Sequence, residues 1–196
     1  MLIRTLVLFF ALVTPALPQS YVIRPEPGSR FALEVFKTGL MADRKHVFLF
    51  ERYQGLLTYD AARPENSKVE LTLEAASISN KDTWISEKDV KRVQEYALTD
   101  MIDAAHSPYL RFTSSAITRR PDGTFTVEGL LTIREKPRAV TVEVSVFPGA
   151  SGGLSFAGKA VVNLKDYDIR PRSAPLGVIR TKNEMKVDFS LVAVPR

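Results

Sequence analysis

The sequence predicts an all-β domain, with eight antiparallel strands closed into a barrel or paired as a sandwich, and one helical insertion. Three observations carry this. Apolar and polar residues alternate with period two along most of the chain after Tyr21, which marks strands with one buried face. A single segment changes to helical spacing, and no repeat or domain-scale linker divides the 196 residues.

The strands follow in order. "RFALEVF" sets Phe31, Leu33 and Val35 on one face, and "HVFLFERYQGLLTYD" is a long apolar stretch predicted to bend or bulge at Gly55. "KVELTLEAASIS" turns Val69, Leu71, Leu73 and Ala75 one way and Glu70, Thr72 and Glu74 the other. "YLRFTSSAI", "TFTVEGLLTI", "AVTVEVSVF", "LSFAGKAVVNL" and "EMKVDFSLVAV" complete the set. The glycines of "RPDGT" and "GASGG" suit hairpin connections, because glycine admits positive φ. "REKP" joins another pair without the Asn-Gly or Asp-Gly of tight hairpins, so a turn wider than two residues, with Pro137 inside it, is expected.

The helical segment runs from Ser86 to Pro108, with the insertion proper at about residues 86–105. Ser86 and Asp89 form a capping box with Asp in place of Glu. Val90, Val93 and Tyr96 or Ala97 give a narrow apolar stripe, and Pro108 ends the excursion. The last connection, "KDYDIRPRSAPLGVIRTKN", reads as an ordered loop at one rim.

Composition narrows the functions. A 45% hydrophobic content supplies a full core. The chain has no cysteine, which removes disulfides, thiolate metal sites and cysteine nucleophiles. The two histidines, His46 and His106, lie sixty residues apart in no metal-ligand spacing, so no metal is assigned. No serine sits in a Gly-x-Ser-x-Gly elbow, and "GASGG" lacks the helix start of a phosphate cradle. The basic residues are mixed with acidic ones and are not interleaved with stacking aromatics, so no nucleic-acid partner is expected. The formal charge of +5 favours at most peripheral contact with an anionic membrane. Nothing in the composition assigns an oligomeric state.

Residues 1–20 differ from the rest: Arg4 precedes an apolar run from Thr5 to Val13, followed by a Pro-broken polar exit. The run is short for a membrane span and suits a signal peptide, cut after Ala16 or Ser20, with the folded domain in 21–196. An uncleaved anchor is the competing reading; either places the domain outside the cytoplasm, in the periplasm of a bacterium or secreted. Removal takes away Arg4 alone among charged groups, leaving +4 of the +5.

Bulky residues on the inward faces, Phe31, Phe48, Phe112, Phe125, Phe156 and Phe189, either fill a core or line a hollow barrel. Several ordered motifs address the choice. "VFKTGLMADRKHVFLFERYQGLLTYD", "KVELTLEAASI", "MIDAAHSPYLRFTSSAI", "FTVEGLLTIREKPRAVTVEVSV" and "IRPRSAPLGVIRTKNEMKVDFSLVA" together resemble the YceI-like family of secreted, lipocalin-like bacterial proteins. The likeness spans residues 21–194. It departs at Glu135, where the family has Gly.

The resemblance implies an eight-stranded barrel with a helix beside it, and non-catalytic binding of a long isoprenoid lipid or quinone-type tail in its interior, with no cofactor. The lining expected is Phe31, Leu33, Val35, Phe48, Leu71, Leu73, Phe112, Val127, Leu131, Val142, Val144, Phe156 and Phe189. His46 and the strand-end cluster Arg134, Lys136 and Arg138 are candidate headgroup contacts. The alternatives are a solidly packed structural or protein-interaction barrel and, more remotely, a His46-dependent hydrolase or isomerase.

Overall fold

The computed structural model describes residues 18–171 and 179–196. The segment read as a leader therefore lies, up to Leu17, outside the described residues. So do positions 172–178 of the last connection.

Among the described residues, eleven strand segments form eight staves. The first stave is β1 (Gln19–Arg24) continued by β2 (Arg30–Gly39), and the second is β3 (Lys45–Phe50) continued by β4 (Tyr53–Tyr59). The third is β5 (Lys68–Glu74) with the short β6 (Ile78–Asn80). The rest are β7 (Tyr109–Arg119), β8 (Phe125–Ile133), β9 (Lys136–Pro148), β10 (Leu154–Asn163) and β11 (Ile179–Pro195). All neighbours are antiparallel, and β11 closes the ring by pairing with both β1 and β2. Closure removes the unpaired edges that would template aggregation.

The three broken staves are interrupted for local reasons. Pro25, Pro27 and Gly28, with φ of 84° at the glycine, part β1 from β2, since proline cannot donate to a ladder. The second stave breaks at Glu51–Arg52, ahead of the Gly55 predicted for the bend. There the neighbouring stave inserts a one-turn helix, Ala75–Ser77. The two breaks are tied together: Glu74 N–H donates to Arg52 O at 3.0 Å, Ser77 Oγ–H to Glu74 O at 2.7 Å, and the Arg52 guanidinium grips Glu74 through two bonds of 2.5 and 2.7 Å. Gly55 sits inside β4, opposite Leu71 and Ile23, where a Cβ would come within 2.6 Å of Glu70 O. Its role is close strand approach.

Helix α1 (Glu87–Tyr96) starts as its sequence predicts. Ser86 Oγ accepts the Asp89 amide at 3.2 Å and donates to the Asp89 carboxylate at 2.9 Å. A π-helical turn, Ala97–Met101, extends it. Val93 and Tyr96 pack on the core. Gln94 docks the helix to β6, donating to Ile78 O and accepting from the Asn80 amide, both at 2.6 Å.

The "REKP" connection differs from expectation. Ile133 pairs with Lys136, leaving Arg134 and Glu135 as a two-residue turn with φ of 52° and 58°. This is the type I′ geometry, here without its usual glycine or asparagine. Pro137 belongs to β9, opposite Thr132. That is the non-hydrogen-bonded position next to the closing pair, so the amide it lacks would face away from β8.

Candidate functional site

The inward faces of the staves enclose a cavity of about 150 Å³, the space open to the centre of a water molecule. Its wall follows from strand parity. On β8, Phe125, Val127, Leu131 and Ile133 face in; on β9, Val140, Val142, Val144 and Val146 do so. Phe156, Ala160 and Val162 of β10 and Met185, Val187, Phe189 and Leu191 of β11 complete that side. No charged side chain lines it among the described residues, and hydroxyls enter only at Tyr59 and Ser67. Such a wall favours a guest that gains by leaving water.

One wall is aromatic. Phe31 and Phe189 are opposed across β2 and β11 and stack with centroids 5.7 Å apart, while Phe50 meets Phe31 edge-on at 6.0 Å.

The end beside the helix is plugged. Phe48, Ile78, Ala97, Met101, Ile102, Leu164 and Ile169 surround a second, smaller apolar void of about 20 Å³. Leu33, Leu110, Ile133 and Met185 face both voids and form the partition between them. Tyr167, fully buried in the one-turn helix Leu164–Tyr167, donates its hydroxyl to Leu131 O at 3.2 Å. Burial, reinforced by the Asp166 charge, pushes its pKa up to about 12, so it stays a donor.

Of the thirteen residues expected as lining, Phe31, Leu33, Leu71, Leu73, Phe112 and Val127 line the main cavity. So do Leu131, Val142, Val144, Phe156 and Phe189. Phe48 belongs to the smaller void behind the partition, and Val35, though buried, lines neither. Both lie towards the plugged end of staves that run past the cavity floor. Parity on the same strands extends the wall to Leu110, Met185 and Val187, two or four residues from Phe112 and Phe189. Ile23, Phe50 and Ser67 come from segments whose direction depends on the breaks in the first three staves.

The four candidate headgroup contacts stand outside both voids. His46 is buried on β3, its ring stacked on Trp84 at 5.3 Å. Its Nδ1–H donates to the Asp82 carboxylate at 2.5 Å, and that carboxylate also accepts the Val47 amide at 2.9 Å. Burial pulls the Asp82 pKa up, but the bonds from His46 and Val47 outweigh it and hold the carboxyl below its ordinary range. The dyad pins the segment leading to α1 against β3 and borders neither of the two voids.

Arg134, Lys136 and Arg138 are turned onto the turn after β10. Arg134 donates to Asp168 O at 3.4 Å, Lys136 pairs with the Asp168 carboxylate, and Arg138 donates to Asp166 O at 2.7 Å. His106 is exposed on its loop, and its hydrogen bond to Asp103 raises its pKa.

The family of YceI-like domains matches residues 26–193. A UPF0312 protein of Pseudomonas savastanoi pv. phaseolicola is 29% identical over 157 residues, covering 75% of this chain and 72% of that one. Among solved structures, BcnA of Burkholderia cenocepacia superposes with a TM-score of 0.64 at 21% identity, covering 84% of this chain and 96% of that chain. A polyisoprenoid binding domain from Saccharophagus degradans, implicated in plant cell wall breakdown, does so with a TM-score of 0.59 at 12% identity, covering 89% and 98%. At these identities the superpositions speak for the fold.

Proposed function

Because the chain belongs to the YceI-like family, we propose that it is a non-catalytic carrier that binds an apolar lipid of isoprenoid or quinone type inside its barrel. The observation that carries the reading is the cavity itself: closed staves around a space walled by hydrocarbon and aromatic side chains. A solidly packed barrel would leave no such void, since protein interiors hold few gaps larger than a water molecule. Each buried methylene of a guest gains about 0.8 kcal/mol, so a tail needs no polar partner along the wall.

Magnitude sets a condition. A dry apolar cavity of this size admits a guest about as large as benzene. A chain of several isoprene units therefore requires the half-buried rings of Phe112, Phe156 and Phe189 to swing aside, or the partition to yield. The polar end of such a guest would rest near Tyr59 and Ser67, away from the plug.

The carrier would work outside the cytoplasm, for carriage, storage or sequestration, as the composition of residues 1–20 suggests. Gln19 and Ser20 belong to β1 and pair with Tyr59 and Thr58, so cleavage after Ala16 is favoured because it leaves the stave whole. Mass spectrometry of protein purified from its own host under non-denaturing conditions tests the binding. A bound prenyl lipid is the expected result. Protein that is uniformly free of lipid, and takes up none when offered, would overturn it.

A further inference from the structure

At the plugged end the first hairpin projects as a charged and apolar finger. Leu40, next to the turn glycine Gly39, is 82% exposed, more than any other large hydrophobic residue described. Met41 follows it, half-buried. Behind the tip, three ammonium groups surround one phenyl ring: Lys45, Lys182 and Lys186 lie 5.7, 5.8 and 5.0 Å from the centroid of Phe36.

Two of the nearby carboxylates are already engaged. Glu34 takes Lys45 at 2.6 Å, and Asp43 lies 3.4 Å from Arg44. Glu184 lies on β11 two residues from each of Lys182 and Lys186, exposed, and no ion pair joins it to either. Lys186 faces Glu34 across the ladder, whose carboxylate Lys45 already holds. No ion pair engages Lys182 or Lys186 among the described residues. Lys37 turns to the opposite face, where burial, against the pull of Asp82, lowers its pKa.

Like charges gathered on one ring repel one another unless an anion offsets them, and an exposed leucine at the tip gains only by leaving water. We propose that this hairpin docks the protein on an anionic lipid bilayer, with Leu40 entering the interface and Lys182 and Lys186 meeting lipid headgroups. A bilayer fits because the apolar tip extends beyond the cationic collar, in the order in which hydrocarbon and headgroups are met. This docking is independent of the cavity and adds a surface to the reading above.

Sedimentation with vesicles tests it, using protein purified from its own host. Vesicles of equal parts phosphatidylglycerol and phosphatidylcholine should carry the protein down, and pure phosphatidylcholine should carry far less. Added salt should weaken the binding, because exposed charges are screened. Replacing Lys182 and Lys186 by Gln should lower the partition coefficient about fivefold per charge removed. Leu40→Asp should lower it further without shifting the melting temperature, since the residue is exposed. Equal binding to both vesicles, no binding to either, or full binding by all variants would overturn the proposal. Prenyl-lipid content, measured on the same samples, reports separately on the carrier reading.

Discussion

The phenyl ring of Phe189 lies across Gly158, its partner in the β10–β11 ladder. A methyl group on Gly158 would stand 2.3 Å from Cζ of that ring and 2.9 Å from the backbone oxygen of Glu143. The glycine gives the ring a flat seat on the barrel wall. Gly158→Ala should push Phe189 into the cavity and cost about 1–3 kcal/mol through overpacking. That exceeds the 0.5–1 kcal/mol, roughly, that alanine ordinarily gains over glycine in a strand. Thermal unfolding checks the loss, and lipid content should fall with it. Adding Phe189→Leu should restore part of the stability, a coupling expected of residues in contact. An alanine variant as stable and as loaded as the parent would sink the assignment.

The turn at Arg134–Glu135 holds two non-glycine residues in the left-handed region. Such a conformation costs an L-residue roughly 1–2 kcal/mol. Glu135 is exposed, and its contact with Arg111 is a long 3.9 Å. Glu135→Gly should therefore stabilise the protein by up to about 1 kcal/mol, after allowance for the entropy of an unfolded glycine. Urea unfolding at neutral pH is the measurement. A loss of stability would mean that the side chain contributes more than its contacts show.

Asp82 connects stability to pH. Its carboxyl is held below its ordinary value of 3.8 in the folded chain, the bonds from His46 and Val47 overcoming burial. A depressed folded pKa contributes stability that is present above the unfolded value and lost as pH falls through the folded one. Asp82→Asn should cost about 1.5–3 kcal/mol at pH 7, the usual range for a hydrogen bond to a charged group. The gap between variant and parent should narrow once the pH drops below about 4. Paired denaturant titrations at neutral and acid pH test the sign. A gap of constant size would show that the charge of Asp82 is not what the fold uses.

The staves were legible because alternation is a local signal, and a closed barrel preserves inside and outside along each strand. Leu71, Val127, Val142 and Phe156 reach the wall by parity alone. What the chain hid depends on contacts between strands. The break at Glu51–Arg52 carries neither glycine nor proline, and arises from the Ala75–Ser77 turn in its neighbour. Gly55, the local signal for a bend, instead answers to the nearness of Glu70. The cluster at Arg134, Lys136 and Arg138 suggested an anion, but Lys136 pairs with the chain's own Asp168 carboxylate and the two arginines donate to the backbone carbonyls of Asp168 and Asp166. Phe48 has the right parity and the wrong height, since parity does not tell how far along a stave the cavity extends.

That height is set by the partition. Leu33, Leu110, Ile133 and Met185 separate the cavity from the void under Leu164 and Ile169. Met185 is the longest and most pliable of the four, buried at 3% exposure on β11. Met185→Ala should join the two spaces and deepen the pocket towards the π-helical turn Ala97–Met101. Truncating a buried methionine costs about 2–5 kcal/mol, so the variant must first be shown to be folded by its unfolding transition. Given that, lipids extracted from the variant should carry longer chains than those from the parent, because the space open to the guest is deeper. Competition between short and long prenyl alcohols should shift towards the long one, by about fourfold for each methylene newly buried, the ratio set by 0.8 kcal/mol. Met185→Leu, which keeps the volume, should leave the preference where it was. If the alanine and leucine variants select the same chain length as the parent, the partition does not measure the guest, and length must be set at the Tyr59–Ser67 end.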